Sequence, residues 1–151
     1  MPDVMKVAPA SGNDYEWCAR LMVSSEPWIT FGRDMEGARA AVHRPGTELF
    51  VARDGAVPFG FLLLAPYGLA GAPYIACIAV AEAARGRGLG TQMLHWAERR
   101  YADRRNVFLL VSSFNTRAQQ LYLRHGYEQV GEIPGYVVPG YSELIYRKRL
   151  A

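Results

Sequence analysis

The seven residues Arg85-Gly86-Arg87-Gly88-Leu89-Gly90-Thr91 carry the most readable chemistry in the chain. Glycines at alternate positions let the backbone turn tightly and let a ligand approach the amides, while a helix starting there adds unpaired N–H groups with a partial positive charge. Such a turn is a cradle for phosphate. Arg85 and Arg87 stand at its rim, so a pyrophosphate would be held first by backbone donors and then by guanidinium groups. Spacing narrows the choice of ligand. A dinucleotide fingerprint needs G-x-G-x-x-G, and here the third glycine comes one residue early, with no acidic residue ending a following strand. A nucleoside triphosphate loop needs a lysine followed by serine or threonine after its last glycine, and Gly90-Thr91-Gln92 has no lysine. The plainer alternative is a turn that merely joins a strand to a helix.

The stretch resembles the acetyl-CoA loop of the GNAT superfamily of N-acetyltransferases, Q/R-x-x-G-x-G/A, through Arg85, Gly88 and Gly90. A second segment, about 25 residues downstream, is similar to the family's N-x-x-A-x-x-L-Y-x-x-x-G-F/Y pattern through Asn115, Ala118, Leu121, Tyr122, Gly126 and Tyr127. The resemblance implies that backbone amides from Gly86 through Arg87, Gly88, Leu89 and Gly90 to Thr91 hold the pyrophosphate of coenzyme A. It also implies that the strand edge at Ile78, Ala79 and Val80 bonds the pantetheine arm, that Asn115 contacts the cofactor, and that Tyr122 is the general acid protonating the departing thiolate. Their spacing agrees, because residues two helical turns apart can face one groove. The structural alternatives are Asn115 as a helix N-cap and Tyr122 as a core tyrosine satisfied locally. For Asn115, cap and cofactor contact are compatible.

Acetyl transfer to an amine requires the amine to be neutral, so a side chain or a water chain must take its proton. Several family members place a glutamate near the start of the central strand, but Ala72-Pro73-Tyr74-Ile75-Ala76 contains no carboxylate. Glu82 reads as a solvated turn residue, which leaves Tyr74 acting through water. The resemblance puts the acceptor between two loops, here Glu26 to Phe31 and Pro134 to Tyr141, both rich in aromatics. Trp28, Tyr136 and Tyr141 read as exposed walls around an apolar stem, with Glu26 attracting the ammonium. The implied reaction is direct transfer from acetyl-CoA to a primary amine, of a small molecule or a peptide, within a ternary complex. Two alternatives stand beside it: a protein N-terminal acetyltransferase of the ribosomal-protein alanine type, and a non-catalytic acyl-CoA-binding module. Homodimers are common among such domains, though no residue here fixes one.

These residues need elements to position them. Alternation at Val4–Val7 predicts a first strand, and a helical pattern runs from Ser11 or Asn13 to about Val23, where Pro27 follows. A short helix spans roughly Asp34 to Val42. A hairpin, Glu48–Arg53 and Val57–Ala65, turns at Asp54-Gly55. Gly68–Pro73 reads as a loop, and the apolar run Tyr74–Val80 as a central strand buried on both faces. The longest helix follows the glycine turn, with Leu89, Met93, Trp96, Ala97 and Tyr101 near one stripe. A strand at Val107–Ser112, a helix at Thr116–Arg124 closed by a left-handed Gly126, and strands near Tyr127–Gly131 and Ser142–Arg149 complete the chain. The order implies an α+β fold: a mixed, mostly antiparallel sheet of about seven strands flanked by about four helices.

The 151 residues fit one domain, 1–151. Half are hydrophobic, enough for a core and unlike a disordered chain. Seventeen basic against 14 acidic residues give +3, too mild to demand a nucleic acid. The clusters Arg99-Arg100, Arg104-Arg105 and Arg147-Lys148-Arg149 read as solvated element ends rather than a nucleic-acid face. His43, His95 and His125 are too scattered for a metal, and Cys18 and Cys77 read as reduced core residues. Without a signal-like segment or an apolar run of about 20 residues, the expectation is a soluble, cytoplasmic protein away from membranes.

Overall fold

The computed structural model describes residues 5–150. Its elements are β1 (Met5–Pro9), α1 (Asp14–Val23), α2 (Trp28–Phe31), α3 (Met35–Val42), β2 (Glu48–Asp54), β3 (Val57–Leu69), β4 (Ala72–Val80), α4 (Leu89–Arg100), β5 (Asn106–Ser112), α5 (Thr116–Arg124), β6 (Glu128–Pro134) and β7 (Ser142–Arg149). The seven strands form one sheet in the order β1-β2-β3-β4-β5-β7-β6. All pairs are antiparallel except β4 with β5. This is the α+β architecture expected from the sequence.

Period-two alternation sorts the apolar residues onto two faces. On one face Leu89, Met93, Leu94 and Ala97 of α4 and Tyr122 of α5 meet Leu62, Leu64, Val107, Leu109 and Tyr146 of the sheet. On the other, Cys18, Met22, Ala38 and Val42 of α1 and α3 cover Val51, Phe61, Leu63, Cys77 and Ala79. Both cysteines are buried and free, and burial raises both thiols to about 12.

Four local expectations change. Gly68–Pro73 is not an open loop: after an irregular stretch beyond Ala65↔Tyr74, β3 and β4 pair again at Leu69↔Ala72, joined by Ala70-Gly71, both at positive φ. That conformation at both central residues matches the twist of a two-residue hairpin, which the glycine-rich composition had disguised. Trp28–Phe31 is a fifth helix of four residues, too short to show periodicity. The central strand β4 alternates between buried and half-buried residues instead of being buried on both faces. The expected first strand is shifted to Met5–Pro9, and Val4 lies outside the described residues.

One irregularity positions everything that follows. Cys77 pairs with Leu63 and Ile75 with Leu64, so Ala76 stands opposite no residue of β3. The extra residue is a bulge, which bends its strand and re-aims its side chains. Ile75 accordingly joins the core under α4 and α5, whereas Ala76 and Cys77 turn to the face under α1 and α3.

Candidate active site

The bulge coincides with a break in the sheet. The parallel ladder between β4 and β5 consists of Tyr74↔Phe108 and Ile75↔Leu109 and goes no further. Beyond Ile75, the two strands leave a slot flanked by Ile78, Ala79 and Val80 on one side and Leu110 to Ser112 on the other. The slot lies at the carboxyl ends of both strands, the usual ligand position between parallel strands.

The glycine turn sits at the mouth of this slot. After β4 a single 3-10 turn, Glu82–Ala84, brings the chain round to Arg85. Gly86 and Gly88 then adopt φ of +80° and +74°, a region that L side chains rarely occupy. Added Cβ atoms there would meet nothing within 4 Å, so the need for glycine lies in the backbone and not in crowding. The first bond of α4 runs from Gln92 N–H to the Gly88 carbonyl. The amides of Gly86, Gly88, Leu89, Gly90 and Thr91 find no acceptor among the described residues. Convergent amides of this kind at a helix start bind anions. The Leu89 side chain is core, 1% exposed, so only its amide serves the nest. A Cβ added at Gly90 would meet only the Val80 methyl, at 3.6 Å, which is ordinary contact. Arg85 donates from Nε to the Val80 carbonyl at 3.1 Å, and Arg87 reaches Asp54 at 3.5 Å. The two arginines therefore brace the turn as well as standing at its rim.

Across the slot, α5 presents the second predicted pair. Asn115 caps the helix, its Oδ1 accepting from Ala118 N–H at 3.2 Å, and Gly126 follows the helix at φ +93°. Tyr122 is 7% exposed, its ring edge-on to Tyr127 and Tyr146 at 5.7 and 6.4 Å. Its hydroxyl has no hydrogen bond with any described residue, yet it is not among the fully enclosed unpaired atoms. Burial, reinforced by Cys77, pushes its pKa up to about 12. The phenol therefore remains protonated at neutral pH. Its helix follows the carboxyl end of β5, the strand that borders the slot.

The acceptor side differs more from expectation. Trp28 is not an exposed wall: it is 6% exposed in the core, its ring 6.4 Å from that of Phe61. As the first residue of α2 it points inward against β3. Glu26 is exposed, but its two oxygens accept from Thr30 N–H and Oγ1 at 3.0 and 2.9 Å, closing the start of the same helix. Tyr74 is half-buried, and Tyr136 is 63% exposed. The two aromatic loops do meet, through a residue that was not predicted. Phe114 sets its ring edge-on to Phe31 at 6.1 Å and to Tyr141 at 5.1 Å, linking α2 to the β6–β7 turn. Its signal in the sequence was an aromatic directly before Asn115.

A second unpredicted residue is Glu143, near the start of β7. It is 7% exposed, pairs in register with Ser112, and accepts the Ser112 hydroxyl at 2.7 Å. Burial raises its carboxyl above the usual range, partly offset by the Ser112 bond. Tyr74 is raised by burial first, with Cys77, Glu143 and Tyr136 adding to the shift. The buried alternation of Ser142–Arg149 was visible in the sequence, but which residue falls on the slot side depends on register.

A sheet opened between two parallel strands, with an amide nest at its mouth, suits an extended ligand that carries phosphate. The chain belongs to the acetyltransferase (GNAT) family, whose model matches residues 13–127. Acetyl-CoA is that family's cofactor. Solved structures share the fold along nearly the whole chain. The ribosomal-protein-S18-alanine N-acetyltransferase of Escherichia coli is 14% identical with a TM-score of 0.78, covering 98% of this chain and 95% of that one. An aminoglycoside 6'-N-acetyltransferase complexed with coenzyme A is 15% identical, TM-score 0.75, covering 97% of each. A GNAT family acetyltransferase from Elizabethkingia anophelis with acetyl-CoA bound is 15% identical, TM-score 0.74, covering 97% and 98%. No curated protein matches the sequence.

Proposed function

We propose that the protein transfers the acetyl group of acetyl-CoA directly to a primary amine, both substrates being held at the slot between β4 and β5. One observation carries this reading: five unsatisfied backbone amides at the mouth of a gap in the sheet, with a protonated tyrosine beside it. The fit to the cofactor is chemical. The amides of Gly86, Gly88, Leu89, Gly90 and Thr91 suit a pyrophosphate, and the unpaired edge at Ile78, Ala79 and Val80 suits the amides of a pantetheine arm. Acetyl-CoA supplies an activated acetyl group whose sulfur leaves as a thiolate. Asn115 closes the far wall, and Tyr122 is placed to give its phenolic proton to that sulfur.

The acceptor enters from the face of Tyr74, Cys77 and Glu143. Cationic charge also reaches that face: Arg33 and Arg44 both act on Cys77. Arg33 is half-buried, and its one side-chain contact is the Met22 sulfur at 4.0 Å. Two guanidinium groups against one buried carboxylate favour a mono-amine whose remainder is neutral or anionic over a polycation.

Calorimetric titration of acetyl-CoA tests the cradle directly. Gly88→Glu puts an L side chain at φ +74° and a carboxylate in an anion nest, and is expected to weaken binding by at least about tenfold. Release of free CoA with amino acids, simple amines, polyamines and peptides then reads the transfer. Amine-dependent release with mono-amines ahead of polyamines supports the proposal. Tight binding without release across the panel would leave an acyl-CoA-binding module, and turnover confined to peptides would indicate an N-terminal acetyltransferase.

A further inference from the structure

We infer that Glu143 is the group that takes the proton from the acceptor's ammonium, an assignment that rests on the acetyl-transfer reading above. Alternation along β7 sends Leu144 and Tyr146 into the core under α4 and α5, so Glu143 projects onto the opposite face. No residue of β5, β6 or β7 belongs to the core under α1 and α3, so no helix core covers the carboxylate. It is nevertheless the one buried carboxylate among the described residues. Its Oε2 has a single donor, Ser112 Oγ at 2.7 Å, and no described cation pairs with it. Oε1 accepts no hydrogen bond from a described residue and is not among the fully enclosed atoms, so it looks into the cleft.

A buried carboxylate without a cation is costly, and such groups concentrate where a proton must be moved. The sequence lacks a carboxylate on the central strand. Glu143 supplies one from two strands away, across the sheet from β4 and carried by Ser112 of β5. Ser112 of β5 and the apolar Ile133 of β6 flank Glu143 in register, and its field reaches Tyr74 of β4, which also feels Cys77, Tyr136 and Arg44.

The balance is simple. An ammonium R–NH3+ gives one proton to Oε1 of Glu143, and the freed lone pair forms the C–N bond to the thioester carbon. The C–S bond breaks, and sulfur takes the proton of Tyr122. The second proton shed by nitrogen returns to Tyr122 through solvent, and Glu143 releases its own to bulk water. The products are an amide, CoA thiol and one proton.

Two measurements test the assignment. The first titrates glutamate side-chain carboxyls by carbon-13 NMR in the ligand-free protein. The Glu143 midpoint is expected above the ordinary carboxylate range in wild type, and higher still in Ser112→Ala, because the serine bond favours the ionised form. The acidic limb of the pH–rate profile should move the same way. The second follows CoA release with primary amines of graded basicity. Glu143→Gln is expected to lose about 10²–10⁴-fold on strongly basic amines at neutral pH, with partial recovery on weakly basic amines or at higher pH. Its acetyl-CoA affinity should remain within about twofold of wild type, since the cradle lies elsewhere.

The variant's fold is checked by melting. A native carboxyl with a raised pKa binds its proton more tightly than the unfolded one, so wild-type stability is fullest at low pH and declines as pH rises through the native midpoint. Glu143→Gln removes that decline and should melt no lower than wild type at neutral pH. An ordinary Glu143 midpoint, or Glu143→Gln turnover of basic amines within about threefold of wild type, overturns the assignment. If wild type binds acetyl-CoA but acetylates no amine, or does not bind it, the transfer reading itself falls and the assignment falls with it.

Discussion

Tyr122 combines two properties that bear on its role. Its ring is locked edge-on between Tyr127 and Tyr146, yet its hydroxyl has no described partner. Tyr127 beside it is satisfied, donating its hydroxyl to Glu98 at 2.9 Å, and Glu98 also takes Lys148 at 2.9 Å, whereas the core Tyr101 hydroxyl is enclosed without a partner. Because the Tyr122 hydroxyl holds no bond to a described residue, its removal breaks none. Removing one hydroxyl should therefore leave the fold intact and affect only the leaving group. Tyr122→Phe is expected to lower kcat about 10²-fold with unchanged calorimetric affinity for acetyl-CoA. Equal kcat would assign the tyrosine to packing.

At the scale of elements, α5 starts at a side chain with one role in view and one proposed. The Asn115 side-chain oxygen caps the helix, while its amide nitrogen has no hydrogen bond to a described residue. Asparagine and aspartate cap comparably, so the roles can be separated. Asn115→Ala should cost about 1 kcal/mol of stability, read by denaturant melts, whereas Asn115→Asp should keep most of it. If the amide holds the cofactor, both variants weaken acetyl-CoA binding. If it only caps, neither variant does.

The same scale explains what the sequence made legible. The glycine turn and the Asn115–Tyr127 segment are local patterns, in which residue type and spacing determine geometry within a few turns, so their positions could be read directly. Trp28 could not be placed, because whether an aromatic after Pro27 faces water depends on α2, a single turn without periodicity. Glu143 could not be recognised, because its neighbours Ser112 and Tyr74 lie 31 and 69 residues away and meet it only through strand order β4-β5-β7. The slot itself was hidden for a related reason: one extra residue, Ala76, decides where β4 leaves β5, and an apolar run shows no mark of it.

Across the whole molecule, two cores of unequal extent hold the sheet. The face under α4 and α5 is continuous from Phe50 to Tyr146, whereas the opposite core stops at β4. The proposed acceptor side lies where that second core ends. Tyr74 and Glu143 have the continuous core of the other face behind them.

The slot also means that this sheet has three edges, not two. Besides β1 and β6 at its ends, the stretch of β4 after Ile75 runs beside β5 without pairing to it. Unpaired strand edges elsewhere invite aggregation, but this one lies inside the molecule, sheltered by α4, α5 and the glycine turn. Its β5-facing amides should consequently exchange their hydrogens far faster than the rest of the central strand in the free protein, and slow sharply when acetyl-CoA is added. Measured by hydrogen–deuterium exchange, that contrast would show the pantetheine arm acting as a missing strand. Uniformly slow exchange in the free protein would mean that the gap closes in solution.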